Sequence, residues 1–512
     1  MSDDDTIRKT GRGGLAVAGA KIYFILLGLV QNIALKSVLG VDGYGALSRV
    51  QTIASITYNP ITTMSIQAVS RSVMQAPAAE TRATIRRILT WHAVFGVVLA
   101  AVFAGLAPFI ARVFGAGHVE TPLRILSAIL LVYSLYTPLI GIANGQKRFV
   151  LQAAFDVTSA TLRTAGLVVG AVVAQRLAYS GPTGSALGFV VSATLVLLIA
   201  GSAIGAGASG PATLSFRRYA SLALPLLLGQ ALLNLLLQAD SLLLGRTASA
   251  AALAAGVPMA QADQLVGAYR FTQQFSFLPY QILIAITFIL FPMLAGAAQQ
   301  RDSAAIARYV QTGLRLSLIL VGAMVSVTAG LAPRLLDLLF GPTVAALGGR
   351  ALTLLALGFG AFAIFGILTT VLNSLGRERE SMWATGLAVV VVGVLCFTRT
   401  YGAPLSENLL WLTAQGTSAG LVVATSIAAI LVYRAAGALV SPWSLLRTVL
   451  SLGAAALLGR WLFPPGKLLT LVAAAVTPCF YLVLLVVLRE LTGRDLDTLR
   501  KVARRGTRAS AP

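Results

Sequence analysis

Long apolar stretches follow one another along nearly the whole of a 512-residue chain, separated by connectors of only a few polar residues. A run of about 20 mostly apolar residues is the length that crosses the hydrocarbon core of a bilayer. Spans are expected at about 14–35, 44–69, 88–110, 125–143, 150–174, 183–205, 219–244, 265–294, 310–331, 351–375, 381–397, 409–432, 446–462 and 468–488. Runs of this length satisfy their backbone hydrogen bonds in lipid as helices. The expected fold class is therefore all-α: a polytopic membrane protein of about 14 transmembrane helices. Only 11% of the residues are charged, against roughly a quarter in a soluble protein. No connector is long enough to hold a soluble domain, so whatever the chain does it does within the membrane.

The net charge of +22 would fit a nucleic-acid partner, but its distribution points to topology instead. With the N-terminus inside, 24 of the 39 Lys and Arg fall on cytoplasmic connectors and tails, ten fall outside and five lie within spans. This bias places both termini in the cytoplasm. No small-residue cleavage pattern follows the first apolar run, so that run is expected to stay as a span. Cys396 and Cys479 fall in apolar runs and read as small hydrophobes. The two histidines, His92 and His118, stand in unrelated contexts, and there is no HExxH, CxxC or GxxxxGK[ST] pattern. No metal, cofactor or ATP site is expected. A membrane glycosyltransferase or ligase would need acids on a sizeable external loop, whereas Asp42, Glu120, Asp263, Asp337 and Glu407 are scattered over short ones.

The chain repeats itself at an offset of 222–229 residues. Gly45-Ala46, Gln51 and Tyr58 recur as Gly267-Ala268, Gln273 and Tyr280. The GLAP at 105–108 recurs at 330–333, each followed by a Phe-Gly pair, Phe114-Gly115 and Phe340-Gly341. Asn144 with Lys147-Arg148 is echoed by Asn373 with Gly376-Arg377. Spans 1–6 thus match spans 7–12, and an even number of spans gives both copies one orientation. Such parallel repeats are related by an axis along the membrane normal, with the substrate site between them. The expected organisation is a six-helix lobe at 1–210, a second at 211–436, two further helices at 437–490 and a basic tail at 491–512. The tail suits anionic lipid headgroups or a solvated segment equally well.

Each ionisable side chain inside a span costs about 2.5–3.5 kcal/mol on insertion scales. These are Lys21, Arg49, Asp156, Arg163, Asp240, Arg270 and Arg315. Arg315 lies near a span end and can snorkel. Arg49 heads a polar stripe of Ser48, Gln51, Thr52, Ser55, Asn59, Thr62 and Thr63, and Arg270 heads Gln273, Gln274 and Gln281. Lipid-facing helices do not carry such stripes, so each half offers one helix to water or substrate; the plainer alternative is two snorkelling arginines. Asn32 lies about three turns from Lys21 on the same face. Asp156 and Arg163, seven residues apart, meet either the cavity or another span; an Asp156–Lys21 ion pair is the plainer alternative. Lys21, Asn32, Arg49, Gln51, Arg163, Arg270 and Gln273 are the candidate substrate-binding residues. Asp240 and Asp156 are the candidate ion-coupling acids, since burial can bring a carboxylate into the physiological range.

Leu39-Gly40-Val41-Asp42-Gly43-Tyr44-Gly45 resembles the LGxxxYG signature of Wzx-type polysaccharide flippases. The segment from Asp240 to Leu244-Gly245, then Val266-Gly267-Ala268-Tyr269, resembles the element opening their second half. These flippases belong to the multidrug/oligosaccharidyl-lipid/polysaccharide (MOP) exporter superfamily. The resemblance implies two six-helix lobes around a central cavity, alternating access, and an undecaprenyl-pyrophosphate-linked glycan as cargo. It also implies the lipid bilayer, a polysaccharide polymerase and export proteins as partners. Lipid II flippases and multidrug exporters of the same superfamily are the alternatives. The former resemble the chain in their two extra helices but carry an arginine in the first span, where this chain offers Lys21. In the spans cations outnumber acids five to two, which suits an anionic cargo better than an organic cation.

Single cysteines placed at 36–43, 112–124 and 246–264 should react with an impermeant thiol reagent from outside, and cysteines at 71–87 and 377–380 should not. Labelling at 377–380 from outside would overturn both the orientation and the parallel repeat.

Overall fold

Proline, glycine and capping side chains set where the apolar runs begin and end as helices. A computed structural model describes residues 3–205, 207–208, 210–462, 464 and 466–491, with side chains except those of 3–18, 21, 285, 288 and 289. The helices of the first half are α1 (Asp3–Gln75), α2 (Thr81–Val113), α3 (Glu120–Gly145), α4 (Phe149–Arg176), α5 (Gly181–Ile204) and α6 (Phe216–Ala255). There follow α7 (Met259–Ser276), α8 (Leu278–Gln299), α9 (Ser303–Gly330), α10 (Ala332–Ser374) and α11 (Glu378–Thr400). The last are α12 (Glu407–Ala436), α13 (Pro442–Trp461) and α14 (Lys467–Val487). Asp302 caps α9 by accepting from the Ala305 amide at 2.9 Å. Gly256 ends α6 in the left-handed conformation, and proline opens α5, α8, α10 and α13.

The fold is all-α, and among the described residues twelve helices are long and apolar enough to cross a membrane. The first of them carries two expected spans, which meet at a non-helical break at Gly40 (φ 76°, ψ 178°) inside the connector expected at 36–43. The eighth expected span is divided at Phe277 between α7 and α8, since Pro279 withholds an amide from the helix. The connector expected at 246–264 shrinks to Gly256–Pro258, because the alanine-rich end of α6 continues as helix. Trp383, Trp443, Trp461, Tyr179 and Tyr401 stand exposed at or just past helix ends, as residues of an interfacial belt do.

Contacts divide the chain into two units: Met1–Arg270 with Thr400–Leu409, and Phe271–Arg399 with Leu410–Pro512. This boundary lies within α7, beyond the 210/211 boundary of the repeat, because α6 packs along α1. In the first unit α3 is the innermost helix, while α2, α4 and α5 turn most of their apolar residues outward. Helices gain nothing from hydrophobic burial in lipid, so they associate where small residues let backbones approach. α4 and α5 show this twice over. A Cβ on Gly166 would lie 2.3 Å from the Gly188 carbonyl oxygen, and one on Gly170 would lie 2.2 Å from that of Gly184. Near the other end of this unit, His92 and Tyr219 pair at 2.7 Å within an apolar cluster.

In the second unit α9 and α10 are innermost. On α9, α14 packs at a notch at Gly322, where an added Cβ would lie 2.1 Å from the Tyr481 hydroxyl, and α13 packs at Gly330, where one would lie 2.7 Å from the Ala456 carbonyl oxygen. At the same end Glu490, buried, receives Arg315 Nε at 2.9 Å, Arg447 Nη1 at 3.7 Å and the Ser444 hydroxyl. Arg315, expected to snorkel, thus ties α9 to the end of α14 through a carboxylate.

Gly170→Val or Gly188→Val should destabilise the purified protein by about 1–3 kcal/mol through overpacking, read as a lower Tm in detergent. Gly201→Val on the open face of α5, where a Cβ meets nothing within 4 Å, should leave Tm nearly unchanged.

Candidate functional site

The two glycines that the repeat makes equivalent lie against each other in the first unit. A Cβ on Gly45 would fall 1.8 Å from the Asp263 carbonyl oxygen, and one on Gly267 would fall 2.3 Å from that of Val41. No side chain fits either position, so α1 and the start of α7 meet backbone to backbone. One turn beyond Gly45, on the buried face, stands Arg49.

Arg49 is 5% exposed, and such a cation requires an anion. Its Nε lies 2.6 Å from Oδ1 of Asp263, itself buried. Its Nη1 donates to the Gly245 carbonyl and to Ser249 Oγ, both at 2.8 Å, fastening α1 to α6. The Nη2 atom is buried without a hydrogen-bond partner. The other oxygen of Asp263, Oδ2, lies 2.8 Å from Nε2 of His118, in the short turn Gly117–Val119 before α3. One carboxylate therefore sits between a guanidinium and an imidazole from two different elements. Asp263 had read as a scattered loop acid, because the connector before α7 was drawn too long. His118 and Ser249 carried no signal in the sequence beyond their types, whereas Gly245 lies in the segment that resembles the opening of the flippases' second half.

A second polar pair lies on α6 and α7. Asp240, 1% exposed, accepts from the Tyr269 hydroxyl at 2.8 Å and from the Ser241 amide at 2.7 Å. Arg270 is half-buried and donates through Nη1 to Gln238 Oε1 at 3.3 Å. Tyr44 donates to Asn32 at 3.0 Å across the Gly40 break in α1, as Tyr269 of α7 does to Asp240 of α6. Gln51 follows Arg49 with a buried Nε2 that has no hydrogen-bond partner. Arg163 is half-buried with its guanidinium 5.0 Å from the Phe189 ring centroid, an arrangement that favours a cation. Asp156 is half-buried on α4, and Gln273 is buried in the second unit. The side chain of Lys21 and the tail beyond 491 lie outside the described residues. Arg49 and Arg270 are one residue out of register in the repeat, since the offset of Gly45 to Gly267 carries Arg49 onto Phe271. One residue turns a helix by about 100°, so the two arginines point differently within their helices. No group of three or more His, Cys, Asp or Glu that could hold a metal occurs among the described residues.

The sequence of residues 10–297 matches the family described as polysaccharide biosynthesis protein. No protein of curated function matches the chain in sequence. In structure the chain is similar to the lipid II flippase MurJ in an inward closed conformation, with a TM-score of 0.75 and 12% identity over 93% of this chain and 99% of that one. It is also similar to a multidrug resistance MATE family transporter of the MOP superfamily. The inward-facing form gives a TM-score of 0.67 at 14% identity over 81% and 94% of the two chains. The outward-facing form gives 0.57 at 14% identity over 87% and 97%. At such identities the likeness is one of fold, and it covers nearly the whole length of each.

Breaking a buried ion pair from one side costs about 3–5 kcal/mol, whereas replacing both partners by apolar residues costs far less. Arg49→Met and Asp263→Leu should each lower Tm strongly, and the double variant should recover most of the loss. Additive losses in this double-mutant cycle would mean that the two side chains do not interact.

Proposed function

We propose, for a chain that belongs to the polysaccharide biosynthesis protein family, that it carries undecaprenyl-pyrophosphate-linked oligosaccharide units from the cytoplasmic to the periplasmic leaflet of a bacterial inner membrane. The observation that carries the reading is the family match over residues 10–297 in a multi-pass membrane chain whose spans hold more cations than acids. The family match, together with a fold shared with a flippase and exporters, supports a transporter; the glycan, the direction and the two-lobed cavity are the proposal. Transport proceeds by alternating access, with the lobes at 1–210 and 211–436 opening in turn to either side.

The chemistry of the cargo sets what the residues do. A lipid pyrophosphate sheds water on leaving the leaflet, and guanidinium groups replace that hydration with charge-assisted bonds. Arg49, Arg270, Arg163 and Lys21 supply the positive charge, and Asn32, Gln51 and Gln273 meet sugar hydroxyls. The polyprenyl tail remains in lipid. Arg49 engages the pyrophosphate only once it leaves Asp263. Asp240 and Asp156 are the acids through which an ion gradient would act. A lipid II cargo is the nearest competitor, favoured by the similarity in fold to MurJ. A polymerase and export proteins would take the delivered unit.

Expression in a strain lacking its own polysaccharide flippase should restore surface polymer and clear the accumulated lipid-linked intermediate, measured by mass spectrometry. Restoration of a lipid II flippase-deficient strain alone would overturn the polysaccharide assignment. Normalised to membrane abundance, Arg49→Ala or Arg270→Ala should reduce export at least about tenfold, the effect of losing roughly 1.4 kcal/mol. Lysine should recover part of this and glutamate none. Full export by either glutamate variant would remove that arginine from the site. In the same assay Asp240→Asn or Asp156→Asn should abolish gradient dependence, and normal transport by both would place coupling elsewhere.

A further inference from the structure

Arg49 and His118 come from different elements and approach different oxygens of one buried carboxylate. The position held by Asp263 is thus arranged as an anion site, with a guanidinium 2.6 Å away on one side and an imidazole 2.8 Å away on the other. Ser249 and the Gly245 carbonyl orient the guanidinium through Nη1, so the arginine would keep its place if the carboxylate left. Its Nη2 is buried and has no hydrogen-bond partner, and Nε makes close ionic contact with Asp263 without an aligned hydrogen bond. With its Oδ2 turned to His118, the Asp263 carboxylate therefore satisfies this arginine incompletely. An anion with more oxygens in a wider arc would reach both Nε and Nη2 as a bidentate partner.

We propose that this position is a diphosphate-ester site which the protein fills with its own Asp263 until a substrate anion displaces it. The proposal rests on the lipid-pyrophosphate reading above and adds the residue that competes with the substrate. Displacement has a structural consequence because the Asp263 carbonyl oxygen is the atom against which Gly45 packs. Moving Asp263 off Arg49 moves the backbone that closes on Gly45, so loading of the anion and separation of α1 from α7 are one event. Diphosphate is favoured over a simple carboxylate by its greater charge and its spread of oxygens, both of which a guanidinium rewards. Asp263 and Arg49 then act together as a specificity filter: a neutral or cationic cargo gains nothing by displacing the acid.

The test uses the full-length protein in nanodiscs, with Cys396 and Cys479 replaced by alanine and Ala262→Cys as reporter. Ala262 is fully buried beside Asp263, so its reaction with a thiol reagent reads separation of α7 from its neighbours. Inorganic pyrophosphate and farnesyl diphosphate should each accelerate labelling at least about fivefold, the low end of typical couplings, and acetate should not. Asp263→Asn should label fast without any probe and gain nothing further from diphosphate. The exchanged variant Arg49→Asp with Asp263→Arg should label slowly again and not respond, which separates loss of the anion site from misfolding. No acceleration by either diphosphate, or slow labelling of Asp263→Asn, would overturn the proposal. A response to inorganic pyrophosphate with none to farnesyl diphosphate would overturn the lipid source. Loss of glycan export with the diphosphate response intact would overturn the glycan reading and leave this site standing. Export intact with no response would do the reverse.

Discussion

Hydrocarbon offers no hydrogen bonds, so every polar group in a span must find its partner within the protein. Three features of this chain follow from that one constraint. The backbone becomes helix nearly throughout, even along the alanine-rich end of α6, where a short polar loop would otherwise serve. Helices attach to one another through glycine, since apolar side chains are as well placed in lipid as against protein; Gly166 and Gly170 meeting Gly188 and Gly184 are the plainest instance. Several charges sit where an opposite charge or an aromatic face receives them. Arg49 has Asp263, Arg315 has Glu490, and Arg163 has the face of Phe189.

The same constraint explains which parts of the structure were legible in the sequence. Apolar runs of span length leave helices as the one continuous solution, so number and order of spans could be read directly. The repeated glycines could be read as well: Gly45 and Gly267 are a contact in which neither tolerates a Cβ. The Phe-Gly pairs are explained likewise, since Gly115 and Gly341 both take a positive φ, 62° and 78°. The other repeated string fared differently. GLAP sits inside α2 at Pro108 but straddles the break between α9 and α10 at Pro333, so one sequence served a continuous helix and a turn. Charged partners were illegible, because pairing across 145 to 214 positions leaves no local pattern. Asp263 reads as a scattered loop acid because the sequence before it resembles a connector, and Glu490 falls just past the last expected span with nothing local to mark its partners.

The two buried carboxylate clusters show how differently the constraint can be met. Glu490 has two arginines and a hydroxyl, and it holds α13 and α14 to α9 through three side chains from two helices. Such a cluster suits a fixed joint. Asp263 is the one acid on Arg49 among the described residues, and the arginine keeps an unsatisfied nitrogen. Such a pair suits a joint that opens. An under-satisfied buried pair can persist in a stable protein only when the alternatives are worse, and an unpaired guanidinium is worse by about 3–5 kcal/mol.

That difference bears on how a transporter for an anion can rest without its cargo. Cations strong enough to strip water from a pyrophosphate would, in the empty protein, be buried charges with no counterion. The cost would fall on the resting state and would destabilise whichever conformation closes over them. A built-in carboxylate removes that cost and sets a threshold that the cargo has to exceed. A monoanion of similar size has no advantage over a tethered acid, whose local concentration is fixed by the chain. A diphosphate carries more charge and engages the fork that the carboxylate leaves partly idle. Selectivity on this reading lies in the difference between the two anions rather than in the affinity for either, which is the sense in which specificity is a difference of free energies.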